Sequence, residues 1–169
     1  MGNGQFIDVA RPLGADGATD GRGVAIADLD GDGRLDIIMS NNNGPPTIYL
    51  NNLRKTGNWT RMTLLGKKAN CDAIGARVRL TVQVNGKSKT MTRQVEAGSS
   101  YASQSDLAVH LGLGQATKIA ALEILWPDGG KQSFTGLRLD GLLNQAVYLE
   151  EGGGFKKSRS DVYASRSMK

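Results

Sequence analysis

The sequence predicts an all-β fold: one strand–loop–strand unit packed on an antiparallel β-sandwich. Three observations lead there. Glycine is abundant (23 of 169 residues) and aromatics make up only 5%, which suits short strands and tight turns. The second half alternates apolar and polar residues with a period of two, as half-buried strands do. Residues 28–36 set four aspartates into one short loop between two runs rich in β-branched residues, and those runs read as strands.

The loop is the most informative element. It reads Asp28-Leu29-Asp30-Gly31-Asp32-Gly33-Arg34-Leu35-Asp36, with carboxylates at positions 1, 3, 5 and 9 and glycine at position 6. Alternate side chains at 1, 3 and 5 converge when the backbone curls around a point. Gly33 permits the positive φ of a sharp turn, and the Arg34 carbonyl can then turn inward as a further oxygen. A hard divalent cation takes roughly six to eight oxygens. The predicted ligands are therefore Asp28, Asp30, Asp32, Arg34 through its carbonyl, and Asp36, and the predicted cofactor is Ca2+. An EF-hand requires a bidentate Glu at position 12, where this chain has Met39, and a helix on each side. The flanks Gly23–Ala27 and Ile37–Ser40 read instead as strands, the second followed by Asn and Gly-Pro-Pro breakers. The alternative is an Asp/Gly-rich turn without metal, in which four carboxylates repel one another.

Gly23-Val-Ala-Ile-Ala-Asp-Leu-Asp-Gly-Asp-Gly-Arg-Leu-Asp-Ile-Ile, with Tyr49-Leu50-Asn51-Asn52 behind it, resembles an FG-GAP/VCBS repeat. The resemblance implies one blade unit of a β-propeller, with calcium in the loop joining two strands. Asn3–Val9 resembles the end of a preceding repeat. A propeller needs about four to eight blades, and this chain shows one complete repeat, so it does not close a propeller by itself.

Beyond Trp59 the strands follow in order. Val78, Leu80, Val82 and Val84 alternate with Arg79, Thr81 and Gln83. Asn85-Gly86 is a hairpin signal, and Lys87–Val95 runs back. Ala120, Leu122, Ile124 and Trp126 alternate with Ala121, Glu123 and Leu125. Pro127–Gly130 turns, Lys131–Phe134 returns, residues 139–146 form a short helical or irregular turn, and Val147 and Leu149 close the series. Short strands at regular spacing argue for a sandwich. Residues 68–78, 97–106, 110–114 and 124–129, in that order, resemble the ASPIC/UnbV domain. This implies a secreted protein with an interaction role and does not imply a reaction. The expected division is 1–56 for the FG-GAP/VCBS-like repeat, 57–151 for the ASPIC/UnbV-like sandwich, and 152–169 for a basic Ser/Lys/Arg tail.

The formal charge of +5 is concentrated in that tail. Lys156, Lys157, Arg159, Arg166 and Lys169 face only Asp161, and the remaining body holds 16 basic and 15 acidic residues. A near-neutral body with no basic face interleaved with aromatics argues against a nucleic-acid partner. No stretch reaches the roughly 18 apolar residues of a membrane span. The Gly/Asn/Asp-rich start is not a signal peptide, so the chain is expected to begin at a mature start given a Met or to be an excised fragment.

Other side chains offer less chemistry. Cys71, the single cysteine, reads as a small packing residue. His110, the single histidine, reads as an edge-strand or packing residue, since a zinc site or a histidine-based triad needs further partners. Ser99, Ser100, Ser103 and Ser105 lie outside any Gly-x-Ser-x-Gly elbow. Asn70, Asp72 and Asp106 are either a second oxygen-rich site or separate Asx turns. Asn58-Trp59-Thr60 is a glycosylation sequon. Trp59 and Tyr101 are candidates for stacking on a sugar, with burial at the seam between the two units favoured for Trp59.

The expected function is a non-catalytic, calcium-binding extracellular interaction module, secreted, with calcium structural and protein or glycan as partner. One alternative is a self-assembling subunit of an extracellular polymer, using open β-edges and tails to bind itself. Another is a glycan-binding or glycan-acting protein, although a glycosidase needs two carboxylates across a cleft and the clustered ones sit in the loop.

Overall fold

The computed structural model describes residues 4–54 and 57–157. Most of the basic tail, and Asn3 of the N-terminal motif, lie outside the described residues. Eleven strands are described, arranged in three sheets with one 3-10 helix, Gly136–Leu142. This is the all-β architecture expected from the glycine-rich, period-two sequence.

The first sheet is β1 (Gly21–Ala27), β2 (Asp36–Asn41) and β3 (Thr47–Tyr49), antiparallel in the order β1-β2-β3. Its first hairpin is closed by the Asp-rich loop, so strands flank the loop on both sides as the β-branched runs predict. Residues 5–9, which resemble the end of a repeat, form no strand, and Phe6 is 97% exposed.

The other two sheets face each other. One has the order β11-β10-β4-β7, from β4 (Asn58–Leu65), β7 (Val109–Gly114), β10 (Gln145–Glu150) and β11 (Phe155–Lys156). The second has the order β6-β5-β8-β9, from β5 (Arg77–Val84), β6 (Lys87–Gln94), β8 (Lys118–Leu125) and β9 (Lys131–Thr135). Asn85 at φ 50° and Gly86 at φ 73° make the β5–β6 turn, where both central residues must adopt positive φ. Met62, Leu64, Val78, Leu80, Val82, Leu122, Ile124 and Leu149 interdigitate between the sheets and are 0–2% exposed. Each such side chain contributes about 1.5–3 kcal/mol on burial.

Two details depart from a purely alternating antiparallel reading. β10 pairs with β4 in parallel, on the side of β4 away from the antiparallel β7. A bulge where β8 passes Thr81 and Val82 shifts the register, so Ile119 enters the core at 1% exposure and Ala120 does not. Cys71 is also a correction: its side chain is exposed, because it lies in the turn after β4 and not on a strand facing the core.

Candidate metal centre and its seat on the sandwich

The loop between β1 and β2 gathers Asp28, Asp30 and Asp36. One carboxylate oxygen from each lies within 4.8 Å of the others. The hydrogen bonds that shape the loop explain the aspartate spacing. Asp28 accepts from the Gly31 amide (2.9 Å) and the Gly33 amide (3.0 Å), and Asp30 accepts from the Asp32 amide (3.2 Å). Asp36 is 2% exposed. It accepts from the Leu29 amide (2.9 Å) and from the Asn51 amide behind β3 (2.8 Å). Gly31 and Gly33 take φ of +78° and +87°, which side chains with a Cβ resist.

Asp32 stands apart from this group. Its Oδ1 accepts from the Arg34 amide at 2.8 Å, and its other oxygen pairs with the Arg34 guanidinium. The Arg34 Nε donates to the Asn51 carbonyl. Arg34 therefore ties Asp32 to Asn51. Among the described residues no Lys or Arg forms an ion pair with Asp28, Asp30 or Asp36. Three hard carboxylate oxygens converging without a cationic side chain are the donor chemistry of a calcium or magnesium site, so these residues fit such an ion.

The loop rests on the sandwich through Gly33. A Cβ built at this position would lie inside the Trp59 indole ring. Trp59, on β4, is 9% exposed and stacks on His110 of β7, with ring centroids 5.9 Å apart and planes 9° apart. His110 Nε2 is 3.0 Å from the Gly33 carbonyl, a contact that places the proton on Nε2. A groove of about 260 Å³ runs along this seam past Arg34, Asn51 and Asn58. Position 6 of the loop is thus held to glycine twice, by its φ and by the indole beneath it.

A second seam lies along β1, whose outer edge is covered by the serine-rich segment. The Val24 amide donates to Ser103 Oγ (2.8 Å), the Ile26 amide donates to Ser105 Oγ (3.2 Å), and the Asp106 amide donates to the Ile26 carbonyl (3.1 Å). Arg61 on β4 holds Asp106 at 2.5 and 3.0 Å. These serines satisfy backbone donors that an edge strand otherwise exposes. Sequence reasoning missed this role, as it missed Asn51 and the His110–Gly33 contact, because each joins residues far apart in the chain.

The remaining candidates resolve locally. Asn70 accepts from the Ile74 amide (2.7 Å) and donates to its carbonyl (3.0 Å), while Asp106 is committed to Arg61 and the Ala108 amide. They cap separate turns. In the sequon, within strand β4, Asn58 donates its side-chain Nδ2 to the Ala116 carbonyl (2.7 Å) and accepts at Oδ1 from Asn144 Nδ2 (2.9 Å). Trp59 is buried under Gly33, and Tyr101 is 80% exposed.

Comparison with known proteins places the two parts. Residues 66–154 match the family model described as ASPIC and UnbV, and residues 1–39 match that of the FG-GAP-like repeat. Cartilage acidic protein 1 of Xenopus tropicalis is 33% identical over 133 residues, 76% of this chain and 20% of that protein. The mouse and human proteins of the same name are each 32% identical over 112 residues, 64% of this chain and 17% and 16% of theirs. The chain thus spans about a fifth of the length of these relatives. With more than half of its length matching that model, the chain belongs to the ASPIC and UnbV family and carries an FG-GAP-like repeat ahead of it.

Proposed function

We propose that this chain is a non-catalytic extracellular interaction module in which a structural calcium ion holds the β1–β2 hairpin rigid against the sandwich. The observation that carries the reading is the convergence of Asp28, Asp30 and Asp36 in a sheet that buries no hydrophobic side chain among its described residues. A sheet without a core needs another source of order. A cation neutralising three carboxylates supplies it as folding energy, because the unfolded chain has no preformed site. Asp28, Asp30 and Asp36 would hold the ion, with Asp32 and the Arg34 carbonyl completing the set. The division at about residue 56 belongs to the same reading: the repeat as a calcium-locked blade, the sandwich as its platform. Secretion, with a protein or glycan as partner, agrees with the FG-GAP-like match and the cartilage acidic protein relatives.

A calcium titration followed by thermal midpoint tests this. The midpoint rises with calcium and returns with EDTA; an unchanged midpoint contradicts the structural ion.

A second reading, self-association, is favoured by one observation. Val24, Ile26, Ile37 and Ile48 are 39–56% exposed on the first sheet, and β3 ends that sheet as an edge strand available for strand addition. Light scattering across concentration distinguishes the two, since a strict monomer removes the second.

A further inference from the structure

The sequence-wide charge balance hides a basic sheet. The outer face of the four strands β6-β5-β8-β9 carries four basic side chains, Arg77, Arg79, Lys118 and Lys131, and one acidic one, Glu123. By contrast, residues 4–54 carry seven acidic and four basic residues. The pairing register aligns Arg77 of β5 with Leu125 of β8, and Leu125 with Lys131 of β9. Arg77, Arg79 and Lys131 therefore share the outer face. They line one shallow depression of about 410 Å³ with Thr92, Glu123 and Ser133. Arg77 Nε donates to the Gln94 carboxamide (3.2 Å), and Arg79 sits 3.6 Å from Glu123 with both side chains more than half exposed. The guanidinium groups are positioned yet keep free donors. Along β5 same-face residues are spaced by about 6.6 Å, and β5 to β9 is two strand steps, about 10 Å, so the cations form a flat array. β8 extends it with Lys118, opposite Gln83, and β6 adds Ser88, Thr90, Thr92 and Gln94, while its Lys87, Lys89 and Arg93 pair with Val84, Val82 and Val78 and lie on the other face.

We propose that this outer face is the docking surface for a sulfated polysaccharide. Charge complementarity selects a polyanion. Guanidinium forks match planar or tetrahedral oxyanions, and the Thr81, Thr90, Thr92 and Ser133 hydroxyls beside them suit sugar hydroxyls. A nucleic-acid strand is disfavoured because the register puts no aromatic side chain on this face to stack a base. The proposal rests on the interaction-module reading but not on the cation, because the face belongs to the sandwich.

The test is binding of dextran sulfate to the full chain, with neutral dextran and duplex DNA as comparison probes, across a salt series, in calcium and in EDTA. Dextran sulfate binds in a salt-dependent way and neutral dextran does not. Combining Arg77→Gln, Arg79→Gln and Lys131→Gln weakens binding about tenfold or more with the thermal midpoint unchanged. Replacing Arg159, Arg166 and Lys169 with Gln leaves it unchanged. If the triple variant does not fold, Lys131→Glu alone, on an exposed side chain, still lowers affinity. Binding by the folded triple variant at wild-type strength, loss only in the tail variant, or tighter binding of DNA than of dextran sulfate at equal salt overturns the proposal. Failure of the calcium reading is a separate result: a thermal midpoint indifferent to EDTA, with polysaccharide binding intact.

Discussion

The two parts of the molecule solve the same problem in opposite ways. Among the described residues beyond Trp59, 21 buried hydrophobic side chains form one core between two four-stranded sheets. Ahead of Trp59, the described residues bury only Gly23, Gly33 and Asp36, two glycines and a carboxylate. The sandwich is held by apolar packing. The three-stranded sheet is held by aspartates folding their own loop, by serines capping β1, and by one close contact of backbone on indole. A three-stranded sheet with no covered face is marginal alone, so its order is borrowed from the sandwich, from an ion, or from both.

This contrast fixes how substitutions should rank. The largest effect is expected in the core. Leu122→Ala, at a fully buried site, lowers unfolding stability by about 2–5 kcal/mol and unfolds both parts together, read as the urea midpoint followed by two probes. Next comes Gly33→Ala. It adds a Cβ inside the Trp59 ring at φ +87°, which costs about 2–4 kcal/mol from strain and overpacking. Its signature differs from that of Leu122→Ala: Trp59 fluorescence shifts as the loop lifts, while β5 and β8 keep their amide protection. If both probes move together, the seam is part of one cooperative unit and the contrast is weaker than drawn. The smallest effect is expected at Ile48→Ala on the open sheet, 56% exposed, with a change within about 0.5 kcal/mol. A loss above about 2 kcal/mol would show that another surface covers this face.

Much of this was legible in the chain. The alternation from Val78 to Val84, the Asn85-Gly86 turn and the Pro127–Gly130 turn each report local physics, and the strands formed where they point. The aspartate spacing likewise announced a tight loop, since Asp28 reaches only as far as Gly31 and Gly33. What was not legible depends on partners distant in sequence. Gly33 meets Trp59 across 26 positions, and Ser103 and Ser105 meet β1 across 79. Ile119 displaced Ala120 from the core because a bulge shifted the register, which a period-two count cannot see. The basic face escaped notice because its cations come from three separated strands, β5, β8 and β9, and are offset in the total by the acidic loop. Asp32 adds a contact the ligand pattern does not announce: its carboxylate also pairs with Arg34.

The central claim is that a cation orders the first sheet and leaves the sandwich indifferent. Hydrogen exchange of the backbone amides in calcium and in EDTA addresses it region by region. With calcium about 100-fold above its dissociation constant, binding contributes ~2.7 kcal/mol. Amides of Val24–Ala27 and Ile37–Ser40 should then lose about 100-fold in protection when EDTA is added, while those of Leu80, Val82 and Leu122 hold. Equal protection in both conditions across β1 and β2, or a loss shared by β5 and β8, would contradict it.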